Sequence, residues 1–168
     1  MSRSLPYGAV RLTEQFLPGK RAAHREVAAL RKHLGKRLTR QLPKRAWIGA
    51  RIIGSGGTFT NLGRMAVARR GGDPNEPVHG IEVSVAEVEH LVEWLSTRTA
   101  LQRRSVPGLN PERADIILAG LTVIASVLER LDAGSVTVSA YGLREGLLWE
   151  MVGASAEKAA SHGRLVWV

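Results

Sequence analysis

The chain has 168 residues, 44% of them hydrophobic, which is the size and composition of one domain with a substantial core, so we expect a single domain over 1–168. It has no cysteine, which excludes disulfides and thiolate metal sites, and we expect a cytoplasmic location. The five histidines have no i, i+4 pairing, so no metal site is predicted from the chain's own side chains. No stretch approaches the roughly 20 apolar residues that span a bilayer, and no membrane partner is expected.

Positive charge is concentrated in the first part of the chain. Residues 1–70 contain 16 Lys and Arg but only 2 Asp and Glu, whereas residues 71–168 contain 8 Lys and Arg and 13 Asp and Glu. The net charge of the whole chain is +9. This asymmetry indicates a polyanionic partner, whether nucleic acid, an acidic membrane surface or a phosphate polymer. The alternative is a solvated helix face whose charge serves solubility alone.

The first predicted element in chain order is a strand over 5–16, where apolar residues alternate in part, followed by a turn at Pro18-Gly19. Residues 20–42 then place one valine and four leucines at steps of three and four. That spacing predicts an amphipathic helix, which Pro43 ends.

Basic side chains lie off the apolar stripe of this predicted helix. Lys36, Arg37 and Arg40 are the candidate polyanion surface. Residues 20–45 contain no aromatic side chain on which single-stranded bases would stack. This favours a phosphate polymer over nucleic acid.

A glycine-rich turn follows a predicted buried strand over 45–53. Its glycines permit positive φ angles and close approach of a ligand to the backbone, and the turn opens a helix for which Thr58 is the predicted N-cap. A strand, a glycine turn and a helix N-terminus together form an anion site. The turn lacks the lysine of the nucleotide-hydrolase phosphate loop and the third glycine of the dinucleotide fingerprint. The alternative is therefore that the turn only connects strand and helix and binds no ligand. The candidate phosphate-binding residues are Gly54, Ser55, Gly56, Gly57 and Thr58.

Helices and strands alternate through the remainder of the chain. A Gly- and Pro-rich loop is predicted over 69–80, and a helix from Ser84 continues in broken form to Arg104. Asn110 is the predicted cap of the best-marked helix, with Pro111 at its first position. A short strand and a last helix, entered through a glycine turn, complete an α/β arrangement.

Four stretches carry a specific resemblance: "SLPYGAVRLTEQFL", "IGSGGTFTNLGRM", "PGLNPERADIILAG" and "VSAYGLREGLLWEM". In this order they resemble the second half of the exopolyphosphatase and guanosine pentaphosphate phosphohydrolase (Ppx/GppA) family. The resemblance implies a ribonuclease-H-like lobe of the actin-like, sugar kinase and heat-shock ATPase superfamily, here lacking its first strands. It also implies hydrolysis of the terminal phosphoanhydride of polyphosphate or of guanosine pentaphosphate.

The family's first lobe, which carries the catalytic glutamate, has no counterpart in these residues. The glycine-rich phosphate hairpin that normally opens the family's second lobe has none either. The resemblance therefore implies that this chain carries no catalytic residue and that Mg²⁺ is the cofactor of the complete enzyme. It also implies that the chain self-associates or pairs with a first-lobe partner. Ala140 stands where many relatives have Asp. Any contact that the carboxylate of this Asp makes to a metal or a water in those relatives is therefore not expected here. The alternative is a non-catalytic basic module that binds nucleic acid or regulates a protein partner.

Two arginines are candidate phosphate ligands outside the glycine turn. Arg113 falls in the first turn of a predicted helix, where a positive charge opposes the macrodipole unless an anion is bound. The alternative for Arg113 is a salt bridge to Glu112 or Asp115. Arg144 and Glu145 follow a glycine turn at a strand end, where open α/β sheets present ligand contacts. Their alternative is an ion pair that holds the turn.

Overall fold

The computed structural model describes residues 5–19 and 21–151. The strands form one sheet of order β1-β3-β2, in which β3 runs parallel to β1 and antiparallel to β2. Helices and strands alternate, as predicted for an α/β fold. The strands are β1 (Ile53–Ser55), β2 (Glu82–Ser84) and β3 (Ser135–Ser139), and the helices are α1 (Ala9–Phe16), α2 (His24–Gln41), α3 (Gly57–Arg69), α4 (Val85–Ser96), α5 (Ala100–Arg103), α6 (Ile117–Leu131) and α7 (Leu143–Met151).

Helix α6 is the centre of the core. Every residue from 117 to 128 is buried, and the helix packs against α1, α2 and α4. Helix α3 packs against all three strands, and Val136 and Val138 of the central strand are fully buried. No helix within the described ranges is long and apolar enough to cross a membrane.

The predicted amphipathic helix is confirmed as α2. The apolar positions of its stripe are buried, and the backbone N–H of Ala23 before the helix donates to the Glu26 carboxylate at 2.7 Å. Apolar residues at helical spacing therefore identified both this element and its inward face. The buried stripe comprises Val27, Leu30, Leu34 and Leu38, with Leu42 directly after the helix.

Helix α4 begins at Val85, close to the predicted helix start at Ser84, and Ser84 is its N-cap. Its hydroxyl accepts from the Glu87 N–H at 3.2 Å, and the Glu87 carboxylate accepts from the Ser84 N–H at 3.0 Å. Arg70 adds a salt bridge to Glu87 at 2.8 Å. Burial alone would raise the pKa of Glu87, but the bonds from Ser84 and Arg70 outweigh it and lower that pKa.

Two predicted strands are wrong. Residues 5–16 contain α1 instead, because Ala9, Leu12 and Phe16 stand at helical spacing and form the face that packs on the core. The predicted strand over 45–53 is a 3-10 turn at Lys44–Trp47 followed by a loop, and β1 begins only at Ile53. A φ of +73° at Gly49 breaks the extended conformation, and Ile48 is exposed rather than buried.

Candidate functional site

The glycine turn joins the end of β1 to the start of α3. Gly56 has φ 99° and ψ 175°, a conformation essentially confined to glycine, and it occupies the N-cap position. The prediction of Thr58 as N-cap is therefore wrong: Thr58 is the second residue of α3, and the positive φ of Gly56 sets the helix start two residues earlier. The space where a Gly56 side chain would project is open, so a ligand has access to this backbone.

The first amide groups of α3 remain available. Within residues 5–19 and 21–151, no side chain caps this helix and no hydrogen bond is made by the N–H groups of Gly57, Thr58 or Phe59. These are the donors that a helix start leaves unpaired, and they carry its positive dipole end. The turn therefore presents donors to an anion.

Arg113 lies directly against this turn. A β-carbon built at Gly57 would be 2.6 Å from the guanidinium carbon Cζ of Arg113, so a side chain at position 57 would displace the guanidinium from this place. Arg113 makes no salt bridge or side-chain hydrogen bond to any residue that the structure describes, including Glu112 and Asp115. A half-buried arginine thus stands beside unpaired amides with its donors free.

The predicted placement of Arg113 in the first turn of a long helix is wrong. Asn110 caps a 3-10 turn, Pro111–Arg113, by accepting from the Glu112 N–H at 3.0 Å, and α6 begins only at Ile117. So short a turn has little dipole to oppose the arginine. What singles out Arg113 is its contact with Gly57.

Asn61 connects the two parts of this site, and it was not predicted from the sequence. Its amide Nδ2 donates to the Gly57 carbonyl at 2.7 Å, and its Oδ1 accepts from the Asn110 N–H at 2.6 Å. Asn61 is only 4% exposed, so both bonds are shielded from water. The available signal in the sequence was that the polar Asn61 lies four residues after Gly57, the first residue of the helix. Asn61 fixes the start of α3 to the segment that carries Arg113.

Glu145 and Arg144 occupy the start of α7. The Glu145 carboxylate accepts from the Gly142 N–H at 2.7 Å, and this bond lowers the pKa of Glu145. The turn is thus held by a bond to the backbone, and among the described residues no salt bridge joins the two side chains. Arg144 is exposed.

The carboxyl ends of β1 and β3 meet at one cavity of about 340 Å³. Ser55 faces Ser139 across the two parallel strands, and both line the cavity together with Thr58 and Gly142. Lys36, Arg37 and Arg40 are exposed on α2, and none of the three lines this cavity. The candidate polyanion surface is therefore separate from the glycine turn.

The described residues contain no group of three or more His, Asp or Glu side chains that could hold a metal ion. Mg²⁺ at phosphate-transfer sites is usually bound through one or two carboxylates together with substrate phosphates and water, so its ligand set there depends on the bound substrate.

A glycine turn, unpaired helix amides and an arginine beside them are features that favour an anion. A family model gives the particular family: it matches residues 1–155 and describes the Ppx/GppA phosphatase family. The chain belongs to this family, and the predicted resemblance is confirmed.

Relatives and solved structures agree with this assignment. The chain is 30% identical over 161 residues to exopolyphosphatase 1 of Mycobacterium leprae, covering 94% of this chain and 46% of that protein. It is similar to the crystal structure of the Aquifex aeolicus Ppx/GppA family member, with TM-score 0.77, 28% identity, and coverage of 90% and 48%. An exopolyphosphatase structure from Cytophaga hutchinsonii shares the fold, with TM-score 0.76, 23% identity, and coverage of 90% and 49%. The chain thus spans about half the length of these relatives.

Proposed function

We propose that this chain is the phosphate-binding lobe of a phosphoanhydride hydrolase that acts on inorganic polyphosphate or guanosine pentaphosphate. One observation carries the proposal: the Arg113 guanidinium lies against Gly57, at the start of a helix whose first amides are unpaired. Relatives named exopolyphosphatase support polyphosphate as the substrate class. We also propose a cytoplasmic location, with which a chain free of cysteine is compatible.

In this proposal the terminal phosphates lie over the glycine turn. The N–H groups of Gly57 and Thr58 donate to phosphate oxygens, and Arg113 holds the same group through two parallel bonds. Donors fixed in advance stabilise the charge that moves onto the phosphate oxygens during hydrolysis. The chain supplies this electrostatic part of catalysis.

The alignment of the attacking water requires a further group. Phosphoanhydride hydrolysis uses a carboxylate or amide to position water, and we propose that this group and the ligands of Mg²⁺ come from the other half of a complete module. The chain alone then binds substrate without turning it over.

Calorimetric titration with tripolyphosphate and with guanosine tetraphosphate tests the binding role. Arg113→Ala should weaken binding about 10- to 150-fold, as expected for loss of one charge-assisted contact of about 1.5 to 3 kcal/mol. Gly57→Ala should weaken it as well, because the new methyl group displaces the flexible guanidinium. The stronger of the two parent affinities identifies the preferred substrate class.

Arg104→Ala is the matched control, since Arg104 is an exposed arginine at the end of α5. Thermal unfolding followed by circular dichroism verifies that each variant is folded. If both site variants bind with the affinity of the parent, the glycine turn only connects β1 to α3, and the proposal is rejected.

A further inference from the structure

The segment that carries Arg113 runs antiparallel along the first turns of α3. Where it begins, a β-carbon built at Gly108 would be 2.5 Å from the carbonyl carbon of Arg64, so this glycine packs on the helix backbone. Further along, the Asn110 N–H donates to the side chain of Asn61 at 2.6 Å, nearer the start of the helix. The segment then reaches the glycine turn with Arg113. Two arginines therefore stand at opposite ends of one contact between the helix and this segment.

Arg64 lies on the same side of α3 as Gly57. The seven residues between them make nearly two full turns, so their Cα atoms are stacked about 10.5 Å apart along the helix axis. Long side chains on a helix lean toward its N-terminal end, so we expect the Arg64 side chain to cover the turn at Thr60. The Thr60 hydroxyl donates to the Gly56 carbonyl at 3.2 Å and carries no charge. Arg64 is thus directed toward the glycine turn rather than away from it.

The guanidinium of Arg64 is exposed and has no hydrogen bond or salt bridge to any residue within 5–19 and 21–151. The two other arginines near the end of α3 both have partners. Arg70 pairs with Glu87 at 2.8 Å, and Arg69 lies over the Trp94 ring at 5.8 Å from its centroid. Single exposed arginines are ordinary, but this one is free and stands in line with the candidate phosphate site.

Glu112 is the acidic residue of the segment that runs along α3. It is exposed, and in the part of the chain that the structure describes it forms no salt bridge with Arg64 or Arg113. Two free arginines against one carboxylate leave a net positive charge along this contact. Such a charge attracts a ligand that is negative over its whole length.

We propose that Arg64 is a second phosphate contact of this lobe, which binds inner phosphates of a linear polyphosphate whose terminal phosphates lie at the glycine turn. A linear polyphosphate can contact Arg113 and Arg64 at once, and two contacts on one ligand reinforce each other. A guanosine polyphosphate continues into its nucleoside instead and offers Arg64 no further phosphate. Arg64 therefore favours polyphosphate over guanosine polyphosphates. This inference rests on the proposed function, because it places the end of the chain at the glycine turn.

Three ligands test the inference by calorimetric titration: pyrophosphate, guanosine tetraphosphate, and a linear polyphosphate long enough to reach both arginines. Arg64→Ala should weaken polyphosphate binding about tenfold, the lower end of the range for a charge-assisted hydrogen bond, because the side chain is exposed. Binding of the two other ligands should stay within about twofold of the parent. Arg64→Lys keeps the positive charge and should retain most of the polyphosphate affinity.

Arg11→Ala is the matched control. Arg11 is an exposed arginine on α1, a helix that packs against α2 and α6. The change removes the same charge far from the glycine turn in sequence, and it should leave all three affinities within about twofold of the parent. Circular dichroism verifies that each variant is folded.

The inference is overturned if Arg64→Ala weakens polyphosphate binding no more than Arg11→Ala does, since Arg64 is then an ordinary surface charge. Equal weakening of all three ligands also overturns it, because Arg64 then does not distinguish a long chain from a short one. Arg113→Ala separates this failure from failure of the proposed function. If it weakens pyrophosphate binding while Arg64→Ala changes nothing, only the second contact is rejected. If the parent binds none of the three ligands, or Arg113→Ala changes no affinity, both proposals are rejected.

Discussion

Gly120 in the first turn of α6 lies directly against Thr58 in the first turn of α3. A β-carbon built at Gly120 would be 2.7 Å from Thr58 Cγ2, closer than two carbon atoms can approach. The absence of a side chain at position 120 thus sets how closely the central helix approaches the glycine turn. The core of the lobe and the candidate phosphate site are coupled through this contact.

Gly120→Ala should destabilise the protein. Alanine gains about 1 kcal/mol in helix propensity, but overpacking a fully buried site costs about 1 to 3 kcal/mol, so we expect a net loss of about 1 kcal/mol in the free energy of unfolding. Urea denaturation measures it. Thr58→Ala in the same chain removes the clashing methyl group and should restore stability. A double variant no more stable than Gly120→Ala would show that the contact does not limit packing.

The sequence predicted those elements whose signals are local. Helix α2 is predicted from its period of apolar residues, and α4 from the apolar positions Val88, Leu91, Val92 and Leu95. Helix α1 was missed because the spacing of Ala9, Leu12 and Phe16, which is that of a helix, was interpreted as the partial alternation of a strand.

The candidate site was predicted in its parts but not in its assembly. The glycine turn is visible in the sequence because glycine signals positive φ, and Arg113 was singled out for a helix position that it does not have. The contact of Arg113 with Gly57 joins residues 56 positions apart, and Asn61 supports it through two buried bonds. Periodicity and capping rules carry no information on such contacts.

The basic surface of α2 should add a salt-dependent contribution to polyphosphate binding. Replacing Lys36, Arg37 and Arg40 together by Glu should weaken binding of a long polyphosphate and flatten the slope of log affinity against log salt, because fewer counterions are released. Titrations at several salt concentrations measure both. Arg104→Glu controls for a general loss of charge. An unchanged slope would assign these side chains to solubility.

The chain alone should not hydrolyse polyphosphate at an enzymatic rate. The described residues contain no group of three acidic or histidine side chains for a metal ion, and the unpaired groups beside the glycine turn are amides and an arginine. Phosphate release with Mg²⁺ present should stay far below about 1 per second, a low value for an enzyme. Turnover at that rate, abolished by Arg113→Ala, would mean that the chain carries its own catalytic group.

Acid should weaken the fold in part through Glu87. The pKa of Glu87 lies below its ordinary value of 4.5 in the folded chain, so its contribution to stability is complete above that value and is lost as pH falls through the lower, folded pKa. Glu87→Gln should therefore reduce the drop in melting temperature between neutral and acid pH. Glu76→Gln, an exposed loop carboxylate, is the control. Equal slopes for the parent and Glu87→Gln would contradict the assignment.

Asn61→Ala should damage both stability and ligand binding, because Asn61 bonds to the glycine turn and to the segment before Arg113. Removing its side chain leaves the Asn110 N–H and the Gly57 carbonyl without these partners, at a cost of about 1 to 3 kcal/mol in the free energy of unfolding. Asn75→Ala, which removes an exposed asparagine from a surface loop, should have little effect on either quantity. If Asn61 positions Arg113, the folded fraction of Asn61→Ala should bind tripolyphosphate more weakly than the parent at a temperature where both are folded. Reduced stability with unchanged affinity would leave Asn61 a structural residue only, and would show that the contact between Arg113 and Gly57 forms without it.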